Sequence, residues 1–193
     1  TVAIKVIRGL SEVDDCELHN RFRREIDVSK TFAHPYVTLT LDGGFSKVGD
    51  PFLVMEFIDG ISLEDLIFTG ALDEEMATNI GRQVCEALSY IHSRGIQHRD
   101  VKPANIIVVS PERSVLVDFG LALDDQRTRI SATSAVVGTM RYLAPERLKG
   151  KKGSPASDIF SLGVTLFYAV SLEMPFNDEE FFSYVIGVTA AEE

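Results

Sequence analysis

Cysteine is scarce in this chain of 193 residues: Cys16 and Cys85 are the only two, far apart and with no CxxC spacing. That excludes a disulfide framework and a cysteine-built zinc site, and it suits two ordinary thiols in a reducing cytoplasm. Excess positive charge is lacking as well. The balance of 19 Lys and Arg against 29 Asp and Glu gives a net charge of −10, whereas nucleic acid and anionic membranes favour a basic face. Long apolar runs are missing too. The longest, Ile159 to Leu172, is interrupted by Ser161, Thr165 and Ser171 and is too short to span a bilayer. No signal-peptide pattern, internal repeat or low-complexity segment occurs. Neither nucleic acid nor a membrane is therefore an expected partner of this segment. What remains, 45% hydrophobic and 25% charged residues, is ordinary globular composition, enough for one domain or two small lobes.

The chain reads as strands first and helices later. TVAIKVI (1–7) is β-branched, and alternation puts Ala3 and Lys5 on one face and Val2, Ile4 and Val6 on the other. From about Ser11 to Phe32 the period turns helical, with Leu18, Phe22, Ile26 and Ser29 on one face and Glu25 beside them. Ala33-His34-Pro35 stops that helix. Two short strands are expected around Val37–Asp42 and Phe52–Phe57, joined by the polar turn Ser46–Asp50. Asp59-Gly60 is the candidate hinge to a helical rear. Helices fit Leu63–Phe68 and Glu74–Ser93, the second with Asp73 as N-cap, Gly95 at its end, and a stripe of Met76, Ile80, Val84, Leu88 and Ile91. The helix Ser157–Val170 is apolar on nearly all sides and is expected to be buried.

One stretch does not read as scaffold. HRDVKPANIIV (98–108) carries Arg, Asp, Lys and Asn at close offsets into an apolar strand, where a plain loop would use Gly, Ser, Asn and Asp. Strands are expected at Ile106–Val109 and Ser114–Val117, with a turn at Pro111-Glu112. This hairpin delivers Asp100 before its first strand and Asp118 after its second, with Asn105 at the entry. Two carboxylates and a carboxamide oxygen converging on one point suit Mg²⁺, a hard cation that keeps substrate phosphates among its ligands.

Together these segments resemble the protein kinase superfamily, over essentially the whole chain. Val2-Ala3-Ile4-Lys5, the loop His98-Arg99-Asp100-Val101-Lys102-Pro103-Ala104-Asn105, then Asp118-Phe119-Gly120 and Ala144-Pro145-Glu146 follow in family order. Asp158-Ile159-Phe160 departs mildly, since the family usually has tryptophan where Phe160 stands. The resemblance implies an α+β, two-lobe protein-kinase-like fold, with 1–58 as part of the N-lobe and 59–193 as part of the C-lobe. It implies Mg-ATP as cofactor, with Mn²⁺ as a substitute metal. Lys5 would reach the α- and β-phosphates, held in place by Glu25. Asp100 would accept or orient the proton of the substrate hydroxyl, and Lys102 would steady the transferring phosphoryl group. Asn105 and Asp118 would hold the metal. Ala3 and Ile107 would sandwich the adenine, Met55 would line the back of its pocket, and the backbones of Glu56 and Ile58 would bond the base. His98 and Phe119 would pack as a structural spine.

The same resemblance narrows the substrate. Lys102, with Thr139 in the substrate-facing GTMRY segment, is similar to serine/threonine kinases. Tyrosine kinases carry Ala-Ala-Arg at this place, and small-molecule kinases lack this lysine and the Ala-Pro-Glu motif. Phe22-Arg23-Arg24-Glu25, MEFIDGISL and SDIFSLGVTLF look most like the eukaryotic-like kinases of bacteria. The expected activity is transfer of the γ-phosphoryl of ATP to Ser or Thr hydroxyls of proteins. The competing reading is a pseudokinase scaffold, although Lys5, Asp100 and Asp118 are all present. Residues 121–137 are polar and hold Thr128, Ser131, Thr133 and Ser134. Arg99 would grip a phosphate there, at Thr133 first or Ser131 second, placed by autophosphorylation in a kinase–kinase dimer. The family's glycine-rich loop would precede Thr1 and its last helices would follow Glu193. The chain is therefore read as a cytoplasmic kinase fragment truncated at both ends, poorly active alone, with any membrane anchor outside it.

Overall fold

The alternating opening residues form strand β1 (Val2–Val6), with Ala3 and Lys5 half-buried on one face and Val2, Ile4 and Val6 exposed on the other. The described residues of this computed structural model are 1–7, 16–118 and 140–176. Phe119, Gly120, Ser131, Thr133 and Thr139 lie outside them. β1 pairs antiparallel with β3 (Pro51–Glu56), and β3 with β2 (Thr40–Phe45), in the order β1-β3-β2. Helix α1 (Cys16–Ser29) packs on β2 and buries Phe22, Glu25, Ile26 and Ser29, the three- and four-residue spacing of one helical face.

The second strand differs from expectation. It begins at Thr40, not Val37, and runs to Phe45. Val37 bridges instead to Leu116, and Thr38 N–H donates to Leu116 O at 3.1 Å. The β-forming residues at its expected start thus serve a different sheet. Gly43 falls inside the strand, where a Cβ would stand 2.9 Å from Ile26 Cδ1 on α1.

That second sheet holds β4 (Ile61–Ser62), β5 (Ile106–Ser110) and β6 (Arg113–Leu116), all antiparallel, in the order β4-β5-β6. Gly60 sits hard against it: a Cβ there would lie 2.7 Å from Val108 O and 2.8 Å from Ile107 Cγ2. Helix α2 (Leu63–Phe68) is capped by Ser62, and α3 (Glu74–His92) by Asp73, whose Oδ1 accepts from Met76 N–H at 2.7 Å. Gly95 follows with φ of 74°, as the end of such a helix requires. Ile80, Val84, Leu88 and Ile91 are fully buried and form the core with Leu63, Val101, Ile106 and Leu116. Buried Gln83 on α3 reaches the β5–β6 turn, accepting from Ser114 N–H and donating to Pro111 O.

Short helix α4 (Pro145–Leu148) precedes α5 (Pro155–Ser171), which packs on α3. α5 is less enclosed than its composition suggests. Its buried side is Ser157, Asp158, Ser161, Leu162, Val164, Thr165 and Ala169, while Ile159, Phe167 and Val170 are 48%, 45% and 40% exposed. Two of these hydroxyls can face the core because they bond within the helix, Ser161 Oγ donating to Ser157 O and Thr165 Oγ1 to Ser161 O, while Ser157 Oγ donates to Glu146. Among the described residues, no helix is long and apolar enough to cross a membrane.

Candidate active site

A buried carboxylate organises the loop between α3 and β5. Asp158, in the first turn of α5, accepts from the N–H groups of His98 and Arg99, each at 2.8 Å. Arg99 has φ of 68°, in the left-handed region that a side chain disfavours. The buried His98 ring donates from Nε2 to Val117 O at 3.0 Å, and its Nδ1 accepts from Asp100 N–H at 3.4 Å. That ring ties the loop to the residues after β6.

These ties bring the expected polar residues together. Lys102 Nζ stands 2.9 Å from Asp100 Oδ2. Asn105 Nδ2 donates to Asp100 O at 2.7 Å and to Asp100 Oδ2 at 2.9 Å. Val117 N–H donates to Asn105 O at 2.9 Å, which closes the hairpin and carries Asp118 to the same side. Asp118, also left-handed with φ of 66°, lies 2.6 Å from Lys5 Nζ.

Glu25 departs from expectation. It does not hold Lys5; its Oε1 accepts from Arg99 Nη1 at 3.2 Å, and Lys5 pairs with Asp118. Glu25 is buried on α1, where a carboxylate needs a cation close by. The Arg99 guanidinium supplies one, and Lys5 pairs with Asp118. The adenine-side residues are laid out by strand register. Ala3 pairs with Met55 and Met55 with Thr40 across β1, β3 and β2, on the face that also carries Lys5. Ile107, half-buried, lies in β5 between Ser62 and Val115. Glu56 N–H donates to Leu39 O at 3.0 Å, and half-buried Ile58 lies just past β3.

Asp118 and Asn105 offer two oxygen donors. Among the described residues no three His, Cys, Asp or Glu side chains gather into a metal site of their own. Such a sparse set fits Mg²⁺ or Mn²⁺, which fill their shells with water and phosphate oxygens, and does not fit structural zinc.

The protein kinase domain family matches residues 1–188. The chain belongs to the protein kinase family. It is 37% identical over 181 residues to the serine/threonine-protein kinase PknB of Mycolicibacterium smegmatis, covering 91% of this chain and 29% of that protein. PknB of Mycobacterium tuberculosis is 35% identical over 184 residues, covering 92% of this chain and 29% of that protein. PknA of Corynebacterium glutamicum is 36% identical over 193 residues, 96% of this chain and 40% of that protein. The chain thus spans less than a third of the mycobacterial relatives. Its fold is similar to the crystal structure of Rad53 1-466 in complex with AMP-PNP, with a TM-score of 0.72 and 28% identity, over 95% of this chain and 45% of that one.

Two residues of this kinase domain receive no role from the sequence. Asp158 enters only as the first residue of the family-like Asp158-Ile159-Phe160 segment that opens an apolar helix, and His92 only as the end of an amphipathic one. Asp158 has a signal, since it is the sole charge in α5. His92 has none. Burial pushes the Asp158 carboxyl up, but His92, His98 and the two backbone amides outweigh it and hold it below its ordinary value. Glu146 of the kinase Ala-Pro-Glu segment accepts from Ser157 Oγ, and this bond keeps its carboxyl low.

Burial drives His98 below its ordinary value of 6.5, against the opposing pull of Asp158 and Asp100. The folded kinase therefore resists a proton that the unfolded chain accepts. Stability should fall as pH drops through and below 6.5, and Asp158 should add a loss below 3.8. Urea unfolding of the full-length protein at about pH 7.5 and about pH 5.5 checks this, with a lower midpoint expected at the acidic pH. An unchanged or higher midpoint there would contradict the burial argument.

Proposed function

We propose that this chain is the catalytic core of an ATP-dependent protein kinase that phosphorylates Ser and Thr hydroxyls of proteins. The observation that carries the reading is the convergence on Asp100 of Lys102 and Asn105, both at 2.9 Å, beside the Lys5–Asp118 pair at 2.6 Å. Asp100 takes the proton of the substrate hydroxyl as its oxygen bonds to the γ-phosphorus, while the bond from that phosphorus to the β,γ-bridging oxygen breaks and ADP leaves. Lys102 places a point charge beside the attacking oxygen, and Lys5 draws the nucleotide phosphates into line. Asn105 and Asp118 would hold Mg²⁺, which would supply charge neutralisation for the transferring group when bound. Ala3, Ile107 and Met55 enclose the adenine, and the backbones of Glu56 and Ile58 bond its edge. On this reading residues 1–58 and 59–193 would be parts of the two lobes, and the family resemblance would give Thr139 a substrate-facing role.

Arg99 supports a reading of regulation. Its guanidinium is engaged by Glu25 at 3.2 Å. A phosphate on Thr133 or Ser131, placed by a second copy of the kinase, would compete for that guanidinium with about −1.5 to −2 charge. Glu25 would then be released toward Lys5, and Lys5 would free Asp118 for the metal.

Labelled phosphate from Mg-ATP, incubated with the full-length protein, should appear on Ser and Thr and not Tyr of a protein substrate. Asp118→Ala should abolish it. Mass spectrometry should find phosphate on Thr133 or Ser131, and replacing both with alanine should lower activity. Near-normal turnover in Asp118→Ala would sink the assignment and favour a scaffold; full activity with both sites unmodified would sink the regulatory part alone.

A further inference from the structure

The cations of this chain are unevenly spread. Between Met140 and Ala156 stand Arg141, Arg147, Lys149, Lys151 and Lys152 against the single carboxylate of Glu146, in a protein whose net charge is −10. From Ser157 to Glu193 there is no Lys or Arg at all. The three lysines lie between α4 and α5, where all are exposed. Among the described residues, neither Lys151 nor Lys152 has a carboxylate partner. Glu146, the acid nearest in sequence, is committed to Ser157 Oγ. Like charges crowded together repel one another, so such a patch gains from a counter-charge brought in by a partner.

The backbone holds these lysines in a set arrangement. Lys149 N–H donates to Pro145 O at 3.2 Å, Gly150 N–H to Arg147 O at 3.0 Å and Lys151 N–H to Glu146 O at 3.0 Å. Gly150 makes the turn with φ of 67°, in the left-handed region that glycine enters freely. Gly153 closes the loop: a Cβ there would stand 2.9 Å from Arg147 Cδ and 3.5 Å from Gln97 Oε1. Gln97 directly precedes His98, so the loop packs against the start of the segment that carries Asp100. Chain geometry then limits the separation of Lys151 from Asp100 to about 27 Å, or about eight residues of extended polypeptide. A protein segment with its hydroxyl at Asp100 can therefore reach the lysines with residues further along the same chain.

We infer that the loop from Lys149 to Gly153 is a docking surface for a short run of Asp or Glu in the protein substrate, placed within about eight residues of the acceptor hydroxyl. This rests on the reading of the chain as a kinase of protein hydroxyls. Three lysines on one short loop match a short acidic run. A long polyanion, such as nucleic acid or an anionic membrane, would also lie against a protein of net charge −10.

The test uses the full-length protein and two fluorescent peptides that share a central Ser and Thr. They differ only in carrying four glutamates or four glutamines about eight residues away on both sides. At about 0.05 M salt the glutamate peptide should bind about tenfold tighter, the scale of a few exposed ion pairs, and at about 0.5 M salt the preference should shrink to within about twofold. Lys151→Glu with Lys152→Glu should erase the preference and raise KM for the glutamate peptide by about tenfold. The same variant should keep kcat on the glutamine peptide within about twofold of the parent, since neither lysine touches the reacting atoms. Equal binding of both peptides by the parent overturns the inference, as does a preference that survives in the variant. So does duplex DNA that binds more tightly than the glutamate peptide and is released by the same variant. Should the charge reversal fail to fold, Lys151→Gln with Lys152→Gln decides by the same binding ratio. Phosphate on Ser or Thr with no preference between the peptides removes only the docking surface. A preference with no phosphate on either residue supports the surface and removes the kinase reading.

Discussion

Asp100→Asn should lower kcat by about a hundredfold to ten-thousandfold, the range expected when a positioned general base is lost. The substitution keeps the size and shape of the side chain, so the loop should keep its form. What goes is the negative charge, and with it the capacity to draw a proton from an approaching hydroxyl. Lys102 and Asn105 would also face a neutral acceptor in place of a charged one, since each lies 2.9 Å from Asp100 Oδ2. Binding of Mg-ATP should change little if, as proposed, Asp100 serves the acceptor substrate and not the adenine or the phosphates. Steady-state kinetics beside nucleotide titration separates the two effects. A variant that binds ATP normally and still turns over at the parental rate would remove Asp100 from the reaction.

Lys5→Met should cost about a hundredfold to a thousandfold in kcat/KM, the scale of losing one preorganised charge on the reacting group. Methionine fills the stem of the lysine, so packing beside Ala3 and Met55 is kept. Two losses follow. The phosphates lose their cation, and Asp118, 2.6 Å from Lys5 Nζ, loses its present counter-charge. Asp118 should then take Mg²⁺ without competition from the lysine, so weaker phosphate binding and easier metal binding are expected together. Mg²⁺ and nucleotide titrations on the same variant check this, and parental kcat/KM would exclude Lys5 from the site.

Local chemistry in the sequence explains which elements were readable. Leu63–Phe68 and the Asp73-capped helix stand where periodicity and capping put them, because those signals are written within a few residues. The β2 strand shifted because Val37 and Thr38, good strand residues, answer to Leu116 in a distant strand, and no local signal records that choice. α5 misled in a related way: apolar composition speaks for burial, but its buried side includes Ser161 and Thr165, whose hydroxyls are satisfied within the helix. At the site, Asp100, Lys102, Asn105 and Asp118 were legible because one hairpin carries them all. Glu25 was not, because its choice between Lys5 and Arg99 depends on how a helix, a strand and a loop meet in space. The contact of His92 with Asp158 spans 66 residues and belongs to the same class.

Gly60 bears on how the two sheets could move. Its Cα is seated so closely on Val108 and Ile107 that no side chain fits there without displacing backbone. The chain leaving β3 is therefore fastened to β5 at this residue, and Phe57, Ile58 and Asp59 are the only residues between strand and clamp. Rocking of the first sheet over the second would have its fulcrum in those three residues, with the cross-strand row of Ala3 and Met55 as the short arm of the lever. A bulkier residue at Gly60 would shift the fulcrum itself, so its effect would be felt as a change in cleft aperture and not as the loss of any chemical group.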